Sequence, residues 1–259
     1  MKKNKPRLGQ HFLNNPTFYN NILKHLGIEE EDNIIEIGAG LGYFTKEIIK
    51  YSKNITVIEI EKKFCEYLEK EFSGRIKIIN SDFLKINLEK IIQTGRRNIL
   101  LGNIPYYITG PIIEKCIEEK ERINKFGLMV QKEYYRKLIA KANEKEYTFM
   151  SVIFRLNFKI EKDFEISKEA FKPAPKCDST FMIFKKNDTL LEKEKYEEFI
   201  DFVKKMFSQK RKKIKNSLRL FLENEEIKKI FREEELEKRI ENYDIIGIKE
   251  IFSKVKNRK

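Results

Sequence analysis

The chain has 259 residues, enough for one full α/β core and a small appendage, and at 41% hydrophobic and 37% charged it provides a packed interior beneath a heavily ionised surface. Three well-separated cysteines without a CxxC pair exclude a thiolate zinc site and a disulfide framework, and two histidines leave little for a serine-type triad or a metal centre. A net charge of +13 points to a polyanionic partner, with lysine-rich compositional bias as the plain alternative.

The start, Met1-Lys2-Lys3-Asn4-Lys5-Pro6-Arg7, is basic without a following apolar stretch, and no apolar run reaches membrane-spanning length, so a soluble, cytoplasmic protein is expected. Leu8-Gly9-Gln10-His11-Phe12-Leu13 reads as loop. Pro16 opens a helical pattern with Ile22, Leu23 and Leu26 at core spacing, and Gly27 ends it. Residues 33–37 are predicted as the first strand, running into Gly38-Ala39-Gly40-Leu41-Gly42-Tyr43 and a helix to about residue 53. Strands over 55–59 and 76–79 flank a helix over 62–72, and a fourth strand at 98–101 runs into Gly102-Asn103-Ile104-Pro105-Tyr106. A helix over 111–122, a strand over 126–130 and a helix over 132–142 follow. The alternation predicts a mostly parallel sheet with right-handed crossovers.

Two further strands, near 156–163 and 180–185, are separated by Phe171-Lys172-Pro173-Ala174-Pro175-Lys176-Cys177-Asp178-Ser179 and are read as an antiparallel pair at the sheet edge. From about Asn187 the pattern is charged and helical, which divides the chain into domains 1–187 and 188–259. The second holds Gln209-Lys210-Arg211-Lys212-Lys213-Ile214-Lys215-Asn216-Ser217-Leu218-Arg219, a run without one acidic residue. A solvated face is the common reading of such runs, but one so one-sided repels itself unless an anion lies against it. Lys210, Arg211, Lys212 and Lys213 are therefore candidate nucleic-acid contacts.

Glu36-x-Gly38-x-Gly40-x-Gly42 departs from the dinucleotide fingerprint, since Tyr43 stands where a third glycine would let a helix start hold a pyrophosphate. Close backbone approach at Gly38 and Gly40 without a phosphate cradle suits a nucleoside with a cationic sulfur, that is, S-adenosylmethionine. Glu59 and Asp82, at the ends of the second and third strands, can accept from ribose hydroxyls and an adenine amine, or else cap the next helix. Asn103-Ile104-Pro105-Tyr106 is a turn, or a device for an exocyclic base amine. In the second reading an amide oxygen and a carbonyl fixed by Pro105 accept both N–H bonds and Tyr106 stacks on the ring.

These blocks, with Phe171-x-Pro173-x-Pro175-Lys176-x-Asp178-Ser179, Ser208-Gln209-x-Arg211-Lys212 and Asn216-Ser217-Leu218, resemble the ribosomal RNA adenine dimethyltransferase family over nearly the whole chain. The resemblance implies a Rossmann-like class I methyltransferase with a seven-stranded α/β sheet and a small all-α C-terminal domain. It also implies N6-dimethylation of two adjacent adenosines in the 3′-terminal hairpin of small-subunit rRNA, by a monomer acting on the pre-assembled small subunit. Carried over by position, it sets the cofactor against His11, Leu13, Gly38, Glu59, Asp82 and Asn103. The target base falls to Asn103, Ile104, Pro105 and Tyr106, with Phe171 stacked on its other face. His11 stands where the family often has Asn, and Cys177 where a small aliphatic is usual. Large-subunit resistance methylases are the nearer rival; a non-catalytic nucleic-acid-binding factor and a nicotinamide oxidoreductase are more distant ones.

Overall fold

Short runs rich in Ile, Val, Leu and Phe, most of them ended by a polar residue or Gly, build the sheet that positions everything else. In the computed structural model, which describes residues 11–187 and 193–257, the strands are β1 (Phe12–Leu13), β2 (Asn33–Ile37), β3 (Asn54–Glu59), β4 (Lys77–Asn80), β5 (Asn98–Asn103), β6 (Lys125–Gln131), β7 (Phe158–Ile166), β8 (Phe171–Lys172) and β9 (Ser179–Lys186). Leu8, Gly9 and Gln10, with the basic tip before them, lie outside the described residues. Seven strands form one sheet in the order β4-β3-β2-β5-β6-β9-β7, parallel from β4 to β6. β9 then runs antiparallel to β6, and β7 antiparallel to β9 at the edge. β1 and β8 make a separate antiparallel ribbon, where the sequence predicts loop.

The order reverses at β2, with β3 on one side and β5 on the other, so the strand ends open a crevice there. Register sets what faces across it. Ile37 pairs with Gly102, and a Cβ at Gly102 would meet the Ile37 carbonyl oxygen at 2.8 Å, so glycine is what lets the two strand ends approach. Helices α1 (Pro16–Leu26), α2 (Tyr43–Ile48), α3 (Lys62–Phe72) and α4 (Thr109–Glu118) cover the sheet. Asn15 caps α1 by accepting from the Phe18 N–H, and Gly27, at φ 61°, ends it.

The chain divides into two compact units, one running through Tyr135 and resuming over Phe158–Lys186, the other made of Arg136–Asn157 and Asn187–Lys259. The end of α5 (Lys132–Ile139) and all of α6 (Phe149–Asn157) thus belong with the helical unit, whereas the sequence division at 187 leaves residues 136–157 in the first domain. The strand predicted from about 156 begins at Phe158, because Leu156 still belongs to α6, where Val152, Ile153, Phe154 and Leu156 are buried as helix. Asn157 closes α6, its Nδ2 donating to the Ile153 carbonyl and its Oδ1 accepting from Tyr196. The second unit continues with α7 (Lys193–Ser208), α8 (Ile214–Leu218), α9 (Asn224–Ile230), α10 (Glu233–Leu236) and α11 (Ile245–Lys256). Phe199 and Phe202 of α7 pack on Phe252 of α11, each pair with ring centroids 5.4 Å apart. No helix among the described residues is long and apolar enough to cross a membrane.

Candidate active site

A cavity of about 240 Å³ lies at the carboxyl ends of β2, β3, β4 and β5. On one side it is built by glycine. Gly38 (φ 67°) donates its N–H to the Ile58 carbonyl, and a Cβ at Gly40 (φ 54°) would meet the Phe12 ring at 2.8 Å. Gly42 serves packing instead, since a side chain there would run into Phe72 and Leu68 of α3.

Glu59, 3% exposed, accepts the Gly40 N–H on Oε2 and the Glu61 N–H on Oε1, each at 2.9 Å. Two main-chain donors fix the carboxylate while leaving lone pairs on both oxygens for a ligand. Asp82 caps a one-turn helix, its Oδ1 accepting from Leu84 N–H at 3.0 Å, so the capping role holds for one oxygen and Oδ2 is left over. Glu36 also lines the cavity. Burial, opposed by a 2.7 Å hydrogen bond from the Thr45 hydroxyl and reinforced by the charge of Glu59, pushes its carboxyl up to about 8. Among the described residues no lysine or arginine lines the cavity. Glu59 and Asp82, with Glu36 held largely protonated at neutral pH and no cation on the wall among the described residues, suit a positively charged, phosphate-free ligand.

The other side is built around Asn103. Its Nδ2 donates to the His11 carbonyl at 3.1 Å, which fixes the amide and leaves Oδ1, among the described residues, without a donor. The Pro105 carbonyl is taken by the Ile108 N–H, so among the described residues the main-chain acceptor left in this loop is the Ile104 carbonyl ahead of the proline. Tyr106 is held at both ends of the residue. Its hydroxyl lies 2.5 Å from Ser179 Oγ, its carbonyl accepts from Thr109, and burial raises its pKa. The His11 ring stacks on Tyr106 with centroids 5.7 Å apart and 25° between planes. Its Nδ1 sits 2.7 Å from the Pro173 carbonyl, which can only accept, so Nδ1 carries the proton.

His11, Leu13, Gly38, Gly40, Glu59, Asp82, Asn103, Ile104, Pro105 and Tyr106 therefore all line one cavity. Phe171 does not. It is 2% exposed and pairs with Leu13 in the β1–β8 ribbon inside the apolar core, where strand alternation turns its ring inward and leaves Lys172 exposed. The proline block reaches the cavity instead through the Pro173 carbonyl and Ser179, which hold His11 and Tyr106. Ile60 and Tyr107, 53% and 61% exposed on the cavity wall, go unnoticed in sequence, although each directly follows a residue singled out there.

The basic run is only partly free. Lys210 donates to the carbonyls of Tyr147 (2.6 Å) and Lys145 (3.2 Å) and pairs with Glu241 at 3.1 Å. Lys213 pairs with Glu237, and Lys215 reaches the same carboxylate at 2.6 Å; hydrogen bonds from Lys213, then Lys215, draw that carboxyl down to about 2. Arg211 and Lys212 are exposed and, among the described residues, have no ion-pair partner.

The chain is similar to known proteins in sequence and in fold. Ribosomal RNA small subunit methyltransferase A of Thermotoga petrophila is 35% identical over 254 residues, 97% of this chain and 92% of that protein. Its Fusobacterium nucleatum namesake is 37% identical over 251 residues, 94% of each. Among solved structures, a dimethyladenosine transferase from Plasmodium falciparum superposes with a TM-score of 0.78 at 20% identity, covering 95% of this chain and 98% of that one. The 23S rRNA methyltransferase ErmE gives 0.72 at 22% identity over 94% of this chain and 99% of that one, so this chain shares its fold with both. Since the model of the ribosomal RNA adenine dimethylase family matches residues 1–254, spanning both the cavity and the helical unit, the chain belongs to that family of enzymes.

Proposed function

We propose that this enzyme uses S-adenosylmethionine to dimethylate, at N6, two adjacent adenosines in the 3′-terminal hairpin of small-subunit rRNA within the pre-assembled subunit. The observation that carries the chemistry is Asn103, with its amide nitrogen held on the His11 carbonyl and its oxygen left as an acceptor beside Ile104. An adenine amine is a weak nucleophile because its lone pair is delocalised into the ring. Two acceptors, Asn103 Oδ1 and the Ile104 carbonyl, take its N–H bonds and return that pair to nitrogen. Tyr106, fixed by Ser179 and Thr109, offers the ring face on which the base stacks.

The cavity's residues fit the cofactor: Glu59 for the ribose hydroxyls, Asp82 Oδ2 for the adenine amine, Gly38 and Gly40 for close backbone approach, and an acidic lining for a cation. When bound, the cofactor supplies an electrophilic methyl group on a sulfonium; the protein's share is alignment and exclusion of water. The helical unit, through Arg211 and Lys212, supplies phosphate contacts. Small-subunit rRNA is favoured over the large because the sequence relatives at 35% and 37% identity carry the small-subunit name. Mapping methylated adenosines in both rRNAs from cells with and without the protein tests this. Loss confined to two adjacent small-subunit adenosines is expected; loss in large-subunit RNA, or none, overturns it.

A further inference from the structure

Lys115 of α4 is 9% exposed. Its ammonium donates to the carbonyls of Leu84 (3.1 Å) and Ile86 (2.6 Å) and sits 5.3 Å over the Phe83 ring. A lysine this buried is costly unless its donors are matched, and here main-chain oxygens and a ring face, rather than an acid, match them. The turn it grips, Phe83–Lys85, is the one Asp82 caps from the other end, and Asp82, Phe83 and Leu84 all line the cavity. Lys115 thus stands at the carbonyl end of a turn whose N–H end carries the acid aimed at the ligand, each charge matched to the end it meets. It stands on the helix that begins at Thr109, whose hydroxyl holds the Tyr106 carbonyl.

We infer that Lys115 is a positioning residue that ties the helix issuing from the base-receiving loop to the turn carrying Asp82, and so sets how well the cofactor's adenine amine is recognised. The inference rests on the reading of Asp82 as the acceptor of that amine. It gives the basic residue at this place in α4 a part in cofactor selectivity rather than in solvation or RNA contact.

The test is a comparison of binding constants, by calorimetry on the full chain, for S-adenosylhomocysteine and S-inosylhomocysteine, which has a carbonyl in place of the adenine amine. Lys115→Met keeps the stem and removes the donors. Relative to wild type it is expected to weaken S-adenosylhomocysteine about tenfold and S-inosylhomocysteine little, so the preference between them collapses. Lys115→Arg, which restores donors and charge, is expected to recover most of that preference. In the Lys115→Met background Asp82→Asn should add almost nothing, because both changes remove the same contact. Equal weakening of both ligands, with the full Asp82→Asn effect persisting, would mean general support of the fold and would overturn the inference, as would a wild-type preference in Lys115→Met. If that variant fails to fold, Lys115→Leu, which also removes the donors, reads the same ratio. A wild-type protein indifferent to Asp82→Asn would instead remove the reading of Asp82, and the inference with it.

Discussion

The cavity at the strand ends is acidic and the segment after α7 is basic, and the two compensate their charge in different ways. In the cavity Glu59 and Asp82 are matched by main-chain N–H groups and Glu36 by a hydroxyl, with no lysine or arginine on the wall among the described residues. In the basic segment Lys210 and Lys213 are matched by carboxylates, and among the described residues Arg211 and Lys212 are left open. A carboxylate held by N–H dipoles is oriented yet still charged toward a ligand; an ammonium closed onto a carboxylate has little left to offer. We propose that the residues that bind are those whose charge the fold orients without cancelling.

The sharpest way to break this comparison is at Asn103, where orientation without cancellation is taken furthest. Asn103→Ala removes the acceptor and is expected to lower kcat by about a thousandfold, while calorimetric binding of S-adenosylhomocysteine falls only severalfold. Turnover near that of the wild type in a methyl-transfer assay would dismiss the amide from the chemistry. Next in size is Lys210→Met, which leaves the Tyr147 and Lys145 carbonyls and Glu241 without their donor. It should cost about 1–3 kcal/mol of stability in urea unfolding and leave the salt dependence of RNA binding as it was.

Most of the cavity is legible in sequence because parallel topology does the placing. Once Gly38, Glu59, Asp82 and Asn103 are seen to end successive strands, their convergence follows from the order β4-β3-β2-β5. Phe171 is misread because its place depends on pairing with Leu13, a two-residue ribbon too short to show periodicity. The division at 187 follows chain order, and chain order does not show that residues 136–157, which lie between β6 and β7, group with the helices after Asn187. Nothing in a run of lysines tells which will find an acid folded beside it: Glu237 and Glu241 lie more than twenty residues away in sequence and are brought in by the helical unit.

Glu36 tests the acidic side through pH. Burial pushes its carboxyl up to about 8 in the folded protein, against the ordinary 4.5 of a solvated glutamate in the unfolded chain, so between those values the folded state holds a proton that the unfolded state has released. Folded stability therefore declines as pH rises across that window and levels off above it. Glu36→Gln keeps an acceptor for Thr45 but cannot ionise. The Tm of the variant relative to wild type should rise from pH 5 to about pH 8.5 and then hold steady. A difference in Tm that stays flat with pH would show that Glu36 titrates as an ordinary acid.

The smallest expected effect belongs to the open end of the basic segment. Replacing Arg211 and Lys212 together with Gln should leave the unfolding midpoint where it is, since neither side chain holds the fold, and should weaken rRNA binding roughly tenfold at physiological salt. The diagnostic quantity is the slope of log affinity against log salt, which should shrink by about 1.5 for two lost phosphate contacts, while Lys210→Met leaves it alone. If Lys210→Met instead flattens the slope as much as the double variant does, then an ammonium closed onto a carboxylate still meets RNA, and the distinction between oriented and cancelled charge fails on the basic side.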